Sequence, residues 1–323
     1  MQRRLLVAIA ATLALGAAAG ALAQATDWPQ RPLRLLVGAS PGGGTDAMAR
    51  AVADRLGMAL KQPVTIDNRP GASNTLAADL TAKSTDGYTM VMGVSTAHAI
   101  VPHLLKLNYD SDRDLVPIVF VASVPNVLVV NKELGVNSVA DLVALAKKNP
   151  GKLNFASSGT GSTQHISAEL FKEATGTSLT HIPYKGSGPA LVDLVAGHVQ
   201  LSFDTLASVL AQIQGGKVKA LAVTSAQRNP SLPNVPTLAE AGVPGVEMST
   251  WYGIYMPSNT PKPVQERVHD EVNKLLGQPE VRKRIDAVGG EINPMSQAQF
   301  LAFHNAENKR YAELIARRGI KPD

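Results

Sequence analysis

Twice in this chain a short apolar strand pattern runs into a glycine- and hydroxyl-rich loop that opens an amphipathic helix, and few architectures accommodate such a repeat. The first instance is "LRLLV" (33–37), "GASPGGGTD" (38–46) and "AMARAVADRLGMAL" (47–60). In that helix Ala47, Met48, Ala51, Val52, Leu56 and Leu60 recur at spacings of three and four, leaving Arg50, Asp54 and Arg55 for solvent. The second instance is "LNFASSGTGSTQHISAELFKEATG" (153–176), with Ile166, Leu170, Phe171 and Ala174 on one face and Gly176 as the stop. Further strand patterns lie at 64–68, 89–94, 116–122, 126–131, 179–184, 199–204, 218–224 and 251–257, and the tail after them reads as helices. The alternation predicts an α/β protein with mainly parallel sheets flanked by helices. One domain is expected over 24–125 plus 249–323, with 126–248 inserted as the other.

The first residues carry Arg3 and Arg4, an apolar run, and Ala21-Leu22-Ala23, the three parts of a secretory signal. Residues 1–23 are therefore expected to be a cleavable signal peptide, with a membrane anchor over Leu5–Ala23 as the alternative. Cleavage would leave 300 residues and remove two arginines and no acid, lowering the formal charge from +5 to +3. Cysteine is absent, which excludes a disulfide framework, thiolate metal sites and a cysteine nucleophile. Aromatics make up only 4% of the chain and do not interleave with a basic stripe, so nucleic-acid binding lacks its footprint.

Three chemistries fit "GASPGGGTD". Gly38-x-Ser40-x-Gly42 matches a nucleophile elbow, but the residue after the nucleophile must donate an N–H to the oxyanion hole and Pro41 has none. Gly42-x-Gly44-x-x-Ala47, with Asp67 ending the next strand pattern, matches a dinucleotide fingerprint, which would make the protein an exported NAD(P)-dependent oxidoreductase. The third reading needs only the unpartnered N–H groups of a helix N-terminus, which attract a carboxylate or phosphate. Both loops supply this, with hydroxyls from Ser40, Thr45, Ser157, Ser158, Thr160, Ser162 and Thr163 and without lysine or arginine.

Taken in order, "WPQRPLRLLVGASPGGGTDAMAR", "DNRPGAS", "ASSGTGSTQHISAELF", "HIPYKGSGPALVDLVAGHVQLSFD", "ALAVTSAQRNPSLPNVPTLAEAG" and "MPSNTPKP" resemble the Bug-type substrate-binding receptors of the tripartite tricarboxylate transporter system. The resemblance implies a two-lobed periplasmic binding protein of the Venus-flytrap, type II-like kind. Such a protein captures a small carboxylate between its lobes and presents it to the transporter's membrane subunits, with no enzymatic activity. By matching motif, it implies that Ala39, Ser40, Gly42, Gly43 and Asp46 of the first loop hold a ligand carboxylate. Ser157, Ser158, Gly159, Gly161, Ser162 and His165 of the second loop would share it, partly through water. Ser95 and Thr96 should line the same cleft, with Tyr184, Lys185 and Asp204 at strand ends facing it. No cofactor, metal or nucleic acid is expected, and the receptor is expected to be a monomer. Gly38-Ala39 stand where the family often has a proline and an aromatic, which predicts a wider cleft or a lost stacking surface, and a ligand bulkier than the small dicarboxylates that some members take.

Several of these residues have structural alternatives. Asp46 can stabilise the helix dipole, Asp204 can cap the helix after it, His165 can brace its loop, and Lys185 can either pair a second carboxylate or solvate a turn.

Overall fold

The computed structural model describes residues 27–322; the expected signal peptide lies outside them. Among the described residues nine strands form two sheets that share one member. The first sheet has the order β2 (Val64–Asn68), β1 (Leu33–Val37), β3 (Thr89–Val94), β9 (Ser249–Pro257), β4 (Leu115–Asn131). The second contains β4 again, flanked by β7 (Leu201–Thr205) and β8 (Val218–Val223), and continues from β7 through β5 (Asn154–Ser157) to β6 (Thr180–Pro183). Within each sheet three strands are mutually parallel, while β4 and β9 run antiparallel to every strand they pair with in that sheet or its partner.

The sequence patterns at 116–122 and 126–131 are one strand. β4 runs through Ser123-Val124-Pro125 without a turn, and its partner changes there: Pro125 still pairs with Ser249 of β9, and Asn126 pairs with Thr205 of β7. A proline without an N–H is tolerated where the ladder changes hands.

The parallel strands feed helices. β1 leads to α1 (Gly44–Leu60), β2 to α2 (Thr75–Ala82), β5 to α4 (Thr163–Thr175), β6 to α5 (Ser187–Ala196) and β7 to α6 (Leu206–Gln214). α3 (Val139–Lys148) precedes β5, and β3 runs into one turn of π-helix, Thr96–Ile100. α7 (Lys262–Leu276), α8 (Pro279–Asp286) and α9 (Gln297–Arg318) complete the chain. Period-two alternation sorts the strands into two buried layers: Leu35, Met90, Val127 and Val129 pack with α1's Met48, Val52 and Leu56. Leu36, Val91, Leu128 and Val130 pack in the other layer with Phe155, Phe171 and Phe203.

Phe300 fastens α9 to the first sheet. It is fully buried and lies edge-on to Phe120, Trp251 and Tyr255 at centroid distances of 5.7, 6.1 and 5.5 Å. Replacing it with alanine should cost about 3–5 kcal/mol, the range for deleting a buried ring. Urea unfolding of the Phe300→Ala variant measures the loss, and a cost below 1 kcal/mol would show that α9 is held some other way.

Candidate functional site

The parallel βα units of the two sheets bring their loops to a common slot. Its lining contains the first residues of α1 (Gly44, Thr45), α4 (Thr163, Gln164) and α5 (Ser187), the N-caps of α2 (Asn74) and α6 (Thr205), and Thr96 of the π-turn. Ala39, Ser158, Thr250 and Tyr252 complete most of the wall. No side-chain cap occupies the starts of α1, α2, α5 and α6. Their first-turn N–H groups therefore remain donors, with the helix dipoles adding partial positive charge. The slot is nearly closed, with a cavity volume of about 20 Å³, and has no lysine or arginine in its lining.

The two halves meet directly around it. Ser40 donates to the Lys185 carbonyl through Oγ at 2.9 Å and through its N–H at 3.3 Å. Ser73 Oγ donates to the Thr160 carbonyl at 2.7 Å. Close approach explains two of the glycines. A Cβ on Gly44 would lie 2.6 Å from both Thr205 Oγ1 and Tyr252 Oη, and one on Gly159, where φ is already +123°, would lie 2.7 Å from Ser73 Oγ. On the facing loop Ala72, Ser73 and Asn74 all have positive φ, at +45°, +52° and +72°. Each such residue costs on the order of 1–3 kcal/mol, and Ser73's bond across the slot together with Thr75 Oγ1 donating to the Ala72 carbonyl at 2.7 Å helps hold the turn.

Ala39, Thr96 and Ser158 line the slot as expected from sequence, and Gly43 N-caps α1 beside it. Other expected residues hold the loops. Asp46 accepts from the Gly42 N–H (3.0 Å), from both Arg50 Nε (2.9 Å) and Nη2 (3.0 Å), and from Asn68 Nδ2 (3.0 Å); its carboxylate is committed to the loop rather than to cargo. His165 Nδ1 accepts from the Gly161 N–H at 3.1 Å, and its ring stacks on His181 at 4.3 Å. Ser162 N-caps α4, and Ser157 Oγ bonds His181 Nε2 at 2.6 Å. Ser95 sits buried behind Thr96 as the N-cap of the π-turn. Tyr184 donates to Asp193 at 2.6 Å, while Lys185 is exposed; both line a neighbouring depression with Gly159. Burial first, and then Asp193, push the Tyr184 phenol up to about 12.

Asp204 is buried just behind the wall, one residue ahead of Thr205 at the N-cap position of α6, so it does not cap that helix. Its Oδ1 accepts from Ser187 Oγ (2.6 Å), the Thr205 N–H (2.8 Å) and Gln164 Nε2 (3.4 Å). Burial raises its pKa, opposed by these donors and by Ser208. The expectation of a widened cleft at Ala39 is corrected: a Cβ on Gly186 would stand 3.1 Å from the Ser40 nitrogen and 3.4 Å from Ala39 Cβ.

Sequence reasoning missed Asn74, Gln164, Ser187, Thr205, Thr250 and Tyr252 as lining residues. Ser187 carried a usable signal in "YKGSGP", a third glycine-flanked strand-to-helix turn. A larger depression lined by Trp251, Phe303, Arg228 and Arg310 lies outside the slot. Its arginines are paired, Arg228 with Glu240 and Arg310 with Glu307.

The profile described as "Tripartite tricarboxylate transporter family receptor" matches residues 48–320. Protein BugT of Bordetella pertussis is 37% identical, with 98% of each chain covered. Among solved structures, a protein of R. palustris described with adipate is 39% identical with a TM-score of 0.89, covering 92% of this chain and 100% of its own. MatC from Rhodopseudomonas palustris, described with bound malate, is 30% identical with a TM-score of 0.85, covering 89% of this chain and 100% of its own.

The bonds to Asp46 give an acid-side signature. Burial acts to raise its pKa, but Arg50, the Gly42 N–H and Asn68 outweigh it and hold the carboxyl below its ordinary value. A depressed pKa contributes stability that is present above the unfolded value, about 3.9, and is lost as pH falls through the folded value. Asp46→Ala should be roughly 2–3 kcal/mol less stable at pH 7, from the loss of charged buried hydrogen bonds. It should also lose less stability than the parent as the medium is acidified below about pH 4. Melting temperature against pH for both proteins checks this; parallel curves would remove Asp46 from the account.

Proposed function

The chain belongs to the tripartite tricarboxylate transporter receptor family, and from that premise we propose that it is an extracytoplasmic solute receptor for a small carboxylate. Exported by a cleavable signal at 1–23, it works in the periplasm as a monomer. One lobe comprises 24–125 and 249–323, the other 126–248, and they close on the cargo and deliver it to the membrane subunits of a tripartite transporter. Binding and release are its whole activity, with no catalytic step and no cofactor.

The observation that carries this reading is the convergence of uncapped helix starts from both halves on one slot without a cationic side chain. A carboxylate fits such a field of N–H donors. The binding of adipate and malate by related proteins supports a diacid as cargo. Against the oxidoreductase alternative, the carboxylate of Asp67, which would have to receive a ribose, is bonded to Arg34 at 2.8 Å and to Arg69 at 2.9 Å. Ser40, in place of a nucleophile's general base, has the Lys185 carbonyl as its partner.

A thermal-shift screen of residues 24–323 against di- and tricarboxylates, amino acids, aromatic acids and nicotinamide dinucleotides tests the function. Cargo at about a hundred times its Kd stabilises the bound form by roughly 2.7 kcal/mol, and a shift with a dinucleotide alone would overturn the proposal. Closure itself is tested at Gly44. A methyl group there meets Tyr252 of its own lobe in any state, and Thr205 of the other lobe only when the halves are together, so Gly44→Ala should weaken carboxylate binding by about tenfold or more through overpacking and also lower the melting temperature of the free protein. Calorimetric titration with the best acid from the screen measures it; undiminished affinity would mean that cargo does not bring these surfaces together.

A further inference from the structure

The hydrogen-bond polarity of the slot is unequal. On the second-half wall the side-chain hydrogens point away from the slot, toward Asp204. Ser187 Oγ donates to Asp204 Oδ1 at 2.6 Å. Gln164 Nε2 has two hydrogens, and its partners are Ser187 Oγ at 3.2 Å and Asp204 Oδ1 at 3.4 Å. Ser158 Oγ donates to Gln164 Oε1 at 2.9 Å. Thr205 Oγ1 and Ser208 Oγ are 2.7 Å apart, and Ser208 in turn bonds Asp204. Oδ1 of Asp204 accepts three donors, Ser187 Oγ, the Thr205 N–H and Gln164 Nε2, so this oxygen carries no proton. Ser187 and Gln164 therefore have no hydrogen left for cargo, and Ser187 Oγ has a lone pair to offer.

A second unpaired acceptor belongs to a lining residue of the opposite half. Asn74 lines it, is only 7% exposed, and its Oδ1 has no hydrogen-bond partner. A buried acceptor left unpaired is unfavourable, and a cargo hydrogen would satisfy it. The donors available to cargo include the backbone N–H groups of the helix starts, which suit a carboxylate, and the hydroxyls of Thr45 and Thr96 on the first-half wall.

We infer that the slot selects carboxylates bearing a hydrogen-bond donor, a hydroxyl or an ammonium beside the carboxylate, over the unsubstituted acids of the same length, and that Asp204 is the positioning residue that sets this preference. The inference rests on the receptor reading and refines its substrate class. The carboxylate lies at the helix starts, and the donor meets Ser187 Oγ, whose own hydrogen is held by Asp204, with Asn74 Oδ1 as a second acceptor on the opposite wall. An unsubstituted diacid leaves these acceptors unpaired.

Calorimetric titration with L-malate, L-aspartate and succinate tests this. The three share a four-carbon diacid skeleton and carry a hydroxyl, an ammonium and neither group. Malate, aspartate or both should bind about ten- to a hundredfold more tightly than succinate, and the better of the two tells hydroxyl from ammonium. Asp204→Ala frees the hydrogens of Ser187 and Gln164 and should bring the preferred ligand and succinate within about threefold of each other. Asp204→Asn keeps an acceptor at the Oδ1 position and should restore the preference, which a merely structural effect of the alanine would not do. Should Asp204→Ala fail to fold, Ser187→Ala, which removes a lone-pair donor from the wall, should narrow the ratio in its place. Equal affinity of the wild type for all three ligands, or a preference unaltered in the alanine variants, overturns the inference while leaving a carboxylate receptor intact. Failure of these and every other carboxylate in the screen to bind overturns the receptor reading itself.

Discussion

A helix that begins without a side-chain cap leaves backbone N–H groups that need an acceptor, and this protein aims several such helices at one place. The sheet topology makes that possible. In a parallel βα unit each helix starts beyond the carboxyl end of its strand, so β1, β2 and β3 turn their loops to one edge of the first sheet and β5, β6 and β7 do the same in the second. Because β4 belongs to both sheets, the two edges face each other. The slot then follows from connectivity, and its chemistry is mostly that of the main chain.

Contacts across the slot follow the same logic. Ser40 and Ser73 each reach a backbone carbonyl of the other half, so closure places few demands on side-chain identity beyond small size. Where a methyl group would intrude, the chain has glycine, as at Gly44 and Gly159. The strain in Ala72-Ser73-Asn74 is local to the turn that carries both a crossing bond and the unpartnered Asn74 oxygen. That placement is consistent with strain being kept where it positions a functional group.

Much of this was legible in the sequence because it is local. The strand-to-helix turns at 38–46 and 157–165 announce themselves by composition, and the apolar spacing of Met48, Val52 and Leu56 identifies the face of α1 that is buried. The continuity of β4 was not legible, since Ser123-Val124-Pro125 reads as a break until β9 and β7 are seen to take up its two halves. Nor were the roles of Asp46 and His165 decidable from spacing. An acid in a first turn looks the same whether it faces cargo or its own loop, and only the positions of Asn68 and His181 separate the two. Thr250 and Tyr252 lie on a strand some ninety residues beyond the nearest slot-lining helix start of the second loop, and no local pattern marks them.

The absence of lysine and arginine from the slot lining also bears on release. A guanidinium clamp on a carboxylate in a desolvated site holds it strongly and exacts a desolvation cost when the pair separates. N–H donors fixed by helices carry partial charges of about half a unit shared over a turn. Binding strength is then distributed over loops from two halves, so separating the halves removes a share of the donors at once. Asp204 adds a resident acceptor behind the wall that holds the hydrogens of Ser187 and Gln164, which favours a hydrogen-bond donor of the cargo on that side. The same arrangement orients an asymmetric acid in the slot and weakens its hold when the lobes part, which is what a receptor that must surrender its ligand requires.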